Sequence, residues 1–286
     1  MPELPEVETI RRGLERSVVG RRVIGVDVPT VKILRPPYDS PEEFSKYLVG
    51  RRVESAERRG KYLILSLENG YSLAAHLKMR GQMRVGLVDA LGDDRYVCVR
   101  MQLDDGCEWR YVDMWTWGEI RLLPVEASRV AQFVPALASI GPEPLGDEFS
   151  PETFRRAAER SNKRSVKALL LDQDVVAGVG NIYADESLHR AGIHPARRAG
   201  SVTAEEFEEL YAQVRAVIGD AVELGGTASD NFVDIVGNPG KYIPLVYGRS
   251  GELCGRCGTT LQRTIITGRG TAYCSSCQPL AENRRA

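Results

Sequence analysis

The chain has 286 residues, enough for about two domains and for a large buried core that needs no disulfides. Its 43% hydrophobic and 27% charged content excludes a disordered, collagenous or wholly coiled-coil protein. The 38 Lys+Arg against 39 Asp+Glu leave a formal net charge of −1, which taken whole speaks against a strongly basic nucleic-acid binder. No apolar run approaches the roughly 18 residues that a bilayer span needs. The opening Met1-Pro2-Glu3-Leu4-Pro5-Glu6 has neither the basic nor the apolar region of a secretion signal, so a cytoplasmic protein without membrane contact is expected.

In chain order, Val7, Ile10, Leu14 and Val18 recur at helical spacing and predict a helix over residues 6–19, stopped by Gly20. Short alternating runs then fill residues 22–125. Tyr62–Leu67 and Tyr71–Leu77 flank Asn69-Gly70, and Tyr96–Leu103 and Cys107–Val112 flank Asp105-Gly106. Both read as hairpins, because Asn-Gly and Asp-Gly supply the positive φ of tight turns. Regular short strands predict a β-sandwich. A Gly- and Pro-rich linker covers residues 141–151. Beyond it, helices are expected from Ser150-Pro151, over Lys163–Leu171, over Tyr183–Arg190, and over Thr203–Leu224, which is long and acidic. Residues 227–248 show no period and read as a long loop.

Cys254, Cys257, Cys274 and Cys277 form two C-x-x-C knuckles sixteen residues apart. Two-residue spacing lets both thiolates of a knuckle reach one ion, and four thiolates close a tetrahedron around zinc. One structural zinc on a two-stranded ribbon is expected, with Arg269 near its tip and no redox or nucleotide cofactor. Cys98 and Cys107 lie in strand-like runs and read as small buried hydrophobes.

The N-terminus carries a second signal. Loss of Met1 before the small Pro2 leaves a secondary α-amine. Such an amine, with a pKa near 7.7–8.0, is roughly a tenth or more neutral at pH 7, against well under a thousandth of a free lysine. It is a nucleophile poised for carbonyl or acetal carbon, and the iminium it forms is an electron sink. Glu3 and Glu6 stand beside it as proton donors or acceptors. By themselves Pro2, Glu3 and Pro5 read first as a helix-entry segment with acids favoured by the dipole.

Taken together, six stretches resemble one family. They are residues 1–9, Arg59-Gly60-Lys61-Tyr62, His76-Leu77-Lys78-Met79-Arg80-Gly81, Gly141-Pro142-Glu143-Pro144-Leu145, Gly178 through Glu186, and Val246-Tyr247-Gly248-Arg249 before the cysteines. The chain resembles the formamidopyrimidine-DNA glycosylase family over essentially its whole length. The resemblance implies an α+β architecture: an N-terminal β-sandwich catalytic domain over 1–135, a linker over 136–150, a helix–two-turn–helix DNA-binding domain with a lesion loop over 151–250, and a four-cysteine zinc ribbon over 251–286. It implies a bacterial, nucleoid-associated monomer acting on damaged double-stranded DNA. Its activity would be removal of oxidised purines by Pro2 attack on C1′, with Glu3 moving protons. Lys61 and Arg269 would be the proton donors for β- and δ-elimination.

The same resemblance places Lys61, His76, Asn181 and Arg269 around the phosphates of the extruded nucleotide. The amides that open a helix at Gly180-Asn181 suit an anion on physical grounds as well. Lys163 and Tyr242 fall among the DNA-contacting positions. Met79 matches an inserted methionine and Trp117 a stacking aromatic. Thr116 stands where the family places an arginine that hydrogen-bonds the orphaned cytosine, a contact threonine cannot make. This departure, with that of residues 228–232 in the loop, leaves open a sister activity on oxidised pyrimidines or ring-opened purines only. A damage-binding module without catalysis is the third reading, and intact Pro2 and Glu3 weigh against it.

Dividing the charge removes the conflict with DNA. Residues 51–61 hold five basic and two acidic groups, residues 251–286 likewise, and residues 201–225 hold six acids and Arg215. A balanced total can contain basic patches around Lys61 and Arg269 and an acidic face elsewhere.

Overall fold

The computed structural model describes residues 1–92, 95–229 and 231–280. It comprises two compact units, Met1–Ser139 joined by Leu224–Lys241, and Ile140–Glu223 continued from Tyr242 onward.

The first unit opens with α1 (Leu4–Ser17), two residues earlier than the apolar spacing alone suggests, because Pro5 is accommodated in the first turn. Next come β1 (Val23–Asp27), β2 (Leu34–Arg35), α2 (Pro41–Leu48), β3 (Val53–Arg59), β4 (Tyr62–Leu67), β5 (Tyr71–His76), β6 (Gln82–Leu87), the short α3 (Val88–Leu91), β7 (Val97–Leu103), β8 (Cys107–Val112), β9 (Glu119–Leu123) and α4 (Pro135–Ala138). Both hairpins form as expected. Glu68, Asn69 and Gly70 join the paired Leu67 and Tyr71, and Asn69 and Gly70 both take the positive φ that so short a hairpin loop needs. The strands build two sheets, β1-β7-β8-β6 and β2-β9-β5-β4-β3. One apolar core lies between them, drawing Met101, Trp109 and Tyr111 from the first sheet and Leu63, Leu73 and Ile120 from the second. Val7, Ile10 and Leu14 of α1 enter the same core. Cys98 is buried within it.

Leu224–Lys241 belongs to this first unit although the sequence reading grouped it with the helices. Phe232 and Ile235 enter the sandwich core, and the Val85 amide donates to the Ile235 carbonyl at 2.9 Å. An apolar pair within a polar run has no period to betray it.

The second unit holds α5 (Pro151–Arg160), α6 (Val166–Leu170), α7 (Asn181–Arg190), α8 (Ala204–Glu223) and the ribbon strands β10 (Gln262–Ile266) and β11 (Arg269–Tyr273). Ser150 caps α5, accepting from the Thr153 amide at 3.1 Å. The expected helix over Lys163–Leu171 is shorter, because Ser165 acts as its N-cap and holds Lys163 and Arg164 outside. Among the described residues no helix is long and apolar enough to cross a membrane.

Candidate nucleic-acid interface and zinc centre

In the first unit, Pro2 borders a solvent-open pocket with about 340 Å³ of empty space, lined also by Glu6, Met79, Arg80, Asn231 and Phe232. Glu3 and Glu6 are 2% and 1% exposed. The Glu6 carboxylate accepts the Glu3 amide at 2.8 Å and the Thr227 amide at 2.8 Å. One buried acid therefore ties the N-terminal segment to the first residues of the 224–241 loop. The loop is pinched at its neck, where a Cβ on Gly240 would lie 2.3 Å from the Gly226 carbonyl oxygen. Only glycine permits that approach.

Lys61 follows the positive-φ Gly60 at the β3–β4 turn and is 7% exposed. Register pairs its neighbour Tyr62 with His76 across β4–β5, and the two rings meet edge-on at 4.5 Å. His76 is held neutral, its pKa lowered to about 3 by burial first and then by the charges of Lys78 and Lys61. Its Nδ1 accepts the Lys78 amide at 2.9 Å, so the ring proton sits on Nε2 and remains available for donation. The Tyr62 hydroxyl donates to Glu119 at 3.1 Å, and Lys78 faces the same carboxylate at 3.5 Å.

Two loops of this unit converge on one buried phenol. The Tyr111 hydroxyl donates to the His76 carbonyl at 3.0 Å. A Cβ on Gly81 would lie 2.9 Å from that hydroxyl oxygen, and one on Gly118 only 1.8 Å from it. The loop that carries Met79 and the loop 113–118 are thus packed backbone-first against the same oxygen. Asp113, 1% exposed, shapes the second loop by accepting the amides of Trp115 at 3.0 Å and Gly118 at 2.8 Å. Thr116 is left in the left-handed region at φ 53°, a conformation uncommon for a β-branched residue. The loop lifts its aromatics outward: Trp117 is 56% exposed, Trp115 packs against it at 4.9 Å with the rings tilted by 51°, and the Arg80 guanidinium lies 5.2 Å from the Trp115 ring. Met79 is 37% exposed.

In the second unit, α7 begins at Asn181 with Gly180 as its N-cap. Gln173 props the preceding turn, accepting the Gly178 amide at 2.9 Å and donating to the Val179 carbonyl at 2.8 Å. The Asn181 amide donates to the Gly270 carbonyl at 2.9 Å, next to Arg269 in β11. Lys167, fully buried, pairs with Asp185 at 2.6 Å and donates to the Thr271 hydroxyl at 2.7 Å. Burial raises the Asp185 pKa to about 6 despite the opposing lysine. Arg269 is exposed, the first residue of β11 after the positive-φ pair Thr267 and Gly268.

The four cysteine sulfurs all lie within 4.8 Å of one another, with Cys257 and Cys274 at 3.5 Å and Cys254 and Cys277 at 3.9 Å. A tetrahedral zinc with sulfur at about 2.3 Å needs edges of about 3.8 Å, so the set fits that ion. With four protein ligands the site is closed. Bound zinc supplies folding energy to the ribbon.

Comparison with known proteins settles the family. Residues 1–120 match the formamidopyrimidine-DNA glycosylase N-terminal domain, residues 140–233 the corresponding H2TH domain, and residues 251–280 a zinc finger found in FPG and IleRS. The chain is 45% identical to the formamidopyrimidine-DNA glycosylase of Geobacillus kaustophilus, covering 97% of this chain and 100% of the relative. The chain belongs to the formamidopyrimidine-DNA glycosylase family. Similar solved structures include a Lactococcus lactis Fpg in complex with DNA containing an abasic site, with TM-score 0.87 and 33% identity over 97% of this chain and 99% of that one. A second Lactococcus lactis complex, with DNA containing an oxidised pyrimidine, also has TM-score 0.87 at 33% identity, covering 97% and 100%.

Within this family member, the first unit gathers Pro2, Glu6 and Met79 about one pocket, with Glu3 buried next to Pro2 in sequence, and sets Lys61 near His76. The second gathers Gly180, Asn181 and Arg269 about one end of α7 and β11. Tyr242 is different: it is 3% exposed, and its hydroxyl is spent on Glu186 at 3.2 Å, so it packs inside and presents no surface. Lys163 lies exposed in the turn before α6, while Lys167, one helical turn on, is the buried lysine. Sequence reasoning missed Lys167, Asp185 and Glu186. Glu186 also accepts the amides of Leu245, Val246 and Tyr247 at 2.7–2.9 Å. A buried carboxylate in a helix looks like any surface acid until its partners, about sixty residues away, are known.

Proposed function

We infer that the chain is a bifunctional DNA glycosylase and abasic-site lyase of base excision repair, acting as a monomer on oxidised purines in duplex DNA in the bacterial cytoplasm, at the nucleoid. The observation that carries this reading is the pocket bordered by Pro2, with Glu3 and Glu6 buried behind it and Met79 at its rim. Once Met1 is removed, the Pro2 nitrogen attacks C1′ of the extruded nucleotide. The C1′–N bond breaks, and Glu3 handles the proton that accompanies base loss and ring opening. Extrusion costs a few kcal/mol, and Met79 and Trp117, both exposed, offset part of it by filling the vacated stack.

The resulting iminium acidifies the C2′ protons. Loss of a C2′ proton expels the 3′ phosphate, with Lys61 as proton donor. A further elimination expels the 5′ phosphate with Arg269 as donor, leaving a one-nucleotide gap with a phosphate at each end. Neutral His76 donates from Nε2 to a phosphate oxygen. The start of α7 at Gly180-Asn181 adds the positive end of a helix dipole for the same purpose. Tyr242, whose hydroxyl is taken by Glu186, supports the chain from within.

The test is reductive trapping. Borohydride with an 8-oxoguanine duplex should yield a covalent complex at residue 2. No trapped complex with any damaged or abasic duplex would remove the lyase reading. Mass measurement of the native protein should find Met1 absent, and its retention would favour a binding protein without catalysis. A second reading, preference for oxidised pyrimidines or ring-opened purines, draws on Thr116 and the paired Trp115 and Trp117 in place of an arginine donor. Excision rates on a panel of lesions opposite C, T, G and A separate the two.

A further inference from the structure

Helix α7 carries a polar stripe directed at the zinc ribbon. Asn181, Asp185 and His189 recur every fourth residue, which places them on one face. Asn181 donates to the Gly270 carbonyl at 2.9 Å. Asp185 accepts the Ala272 amide at 3.0 Å. The third member of the stripe reaches a metal ligand: His189 Nε2 lies 3.5 Å from the Cys254 sulfur.

His189 is 1% exposed, so its ring polarity must be met inside the protein. Its Nδ1 has no hydrogen-bond partner among the described residues. A metal-bound thiolate is an acceptor only, which places the proton of a neutral ring on Nε2, facing sulfur. The knuckle answers from the other side. Arg256, between Cys254 and Cys257, donates to the His189 carbonyl at 2.8 Å, capping the C-terminal end of α7 with a cation where the helix dipole favours one.

We propose that His189 is a positioning residue that donates an Nε2–H hydrogen bond to the Cys254 thiolate and so links zinc retention to the helix that begins at Asn181. The proposal rests on the zinc reading of the four cysteines and not on the lesion preference. The hydrogen bond withdraws charge from the sulfur, fixes the side-chain direction of Cys254, and satisfies the buried N–H. Zinc loss then leaves α7 with a donor lacking its anionic partner at one end, while Asn181 at the other end of the same rigid helix holds the Gly270 carbonyl beside Arg269.

The test compares His189→Phe, which keeps an aromatic ring, with His189→Gln, which keeps an N–H donor, in the full-length zinc-loaded protein. Three quantities are read: zinc release to a chelator, the thiolate-to-metal charge-transfer band of the cobalt-substituted protein, and affinity for a duplex bearing an abasic-site analogue. Loss of a partner to a metal ligand costs about 10-fold or more in metal affinity. His189→Phe should therefore release zinc about 10-fold faster, move the charge-transfer band to lower energy, and weaken duplex binding at limiting zinc, with recovery at saturating zinc. His189→Gln should stay close to wild type in all three. Unchanged release and an unmoved band in His189→Phe would overturn the proposal. So would a His189→Gln variant as leaky and as spectrally shifted as the phenylalanine, since the ring would then only fill space. If His189→Phe does not fold, the band of His189→Gln decides alone: wild-type supports the hydrogen bond, and shifted refutes it. Failure of the wild-type protein to bind the duplex at any zinc level would count against the repair function and leave the release and spectral results standing.

Discussion

Adding one methyl group at Gly118 tests whether the exposed tryptophan loop is held by the oxygen beneath it. A Cβ there would lie 1.8 Å from the Tyr111 hydroxyl oxygen, 2.8 Å from the ring carbon that bears it, and 3.1 Å from the Asp113 carboxylate. The hydroxyl cannot simply swing away, because it donates to the His76 carbonyl in a fully buried site. The backbone must lift instead, which stretches the 2.8 Å bond from the Gly118 amide to Asp113. Overpacking costs about 1–3 kcal/mol, and a hydrogen bond to a charged acceptor about 1.5–3 kcal/mol. Gly118→Ala should therefore destabilise the first unit by about 4 kcal/mol, a fall in Tm of roughly 10 °C for a unit of this size. Tyr111→Phe alone should cost about 1–2 kcal/mol for the unpaired His76 carbonyl. Combined, the two should be less than additive, because the phenylalanine removes the obstructing oxygen and leaves the milder 2.8 Å approach. Urea unfolding of both singles and the double gives the coupling, expected at 1 kcal/mol or more. Additivity within about 0.5 kcal/mol would show that the loop does not rest on Tyr111.

Glu6→Gln retains one acceptor oxygen where two amides now bind, and should cost about 2 kcal/mol while slowing borohydride trapping; unchanged stability and trapping would remove the N-terminus-to-loop link. Thr116→Gly should relieve the left-handed strain and raise stability by about 1 kcal/mol in thermal melts, while altering the balance of excision opposite the four bases. His76 has its folded pKa lowered from an ordinary 6.5 to about 3, so the unfolded chain takes up the proton first as pH falls. Its contribution is complete above 6.5 and is lost progressively towards pH 3, by at most about 1.4 kcal/mol per pH unit; stability of His76→Gln should fall less steeply across that window. Stripping zinc should unfold β10–β11 by circular dichroism and weaken duplex binding, and full binding after verified metal loss would refute the structural role.

The parts of the protein legible in the sequence are those whose signal is local. Asn69-Gly70 fixes a turn, four cysteines at set spacing fix a metal cluster, and Val7, Ile10 and Leu14 fix a buried helix face, each within a window of a few dozen residues. The 224–241 segment is not legible because its anchors are isolated and distant in sequence: the Ile235 carbonyl, the Glu6 carboxylate, and the unperiodic apolar pair Phe232 and Ile235. No periodicity records such bonds.

Helix α7 shows why even a regular element can hide its purpose. Asn181, Asp185, Glu186 and His189 read as an ordinary mix of polar residues on a short helix, and a rule that places polar groups outside would turn them to water. All four instead face protein partners at 2.6–3.5 Å. Asn181, Asp185 and His189 each have a partner in the ribbon, Asp185 also pairs with Lys167 of α6, and Glu186 binds the chain leading into the ribbon. A zinc ribbon whose own core is only a small cluster around Leu261, Ala272 and Cys274 gains rigidity in this way. Arg269 lies exposed at the start of β11, and the residues that follow it, Gly270, Thr271 and Ala272, are held by Asn181, Lys167 and Asp185. Substitutions at Lys167 or Asp185, which bind Thr271 and Ala272, should therefore disturb the first residues of β11.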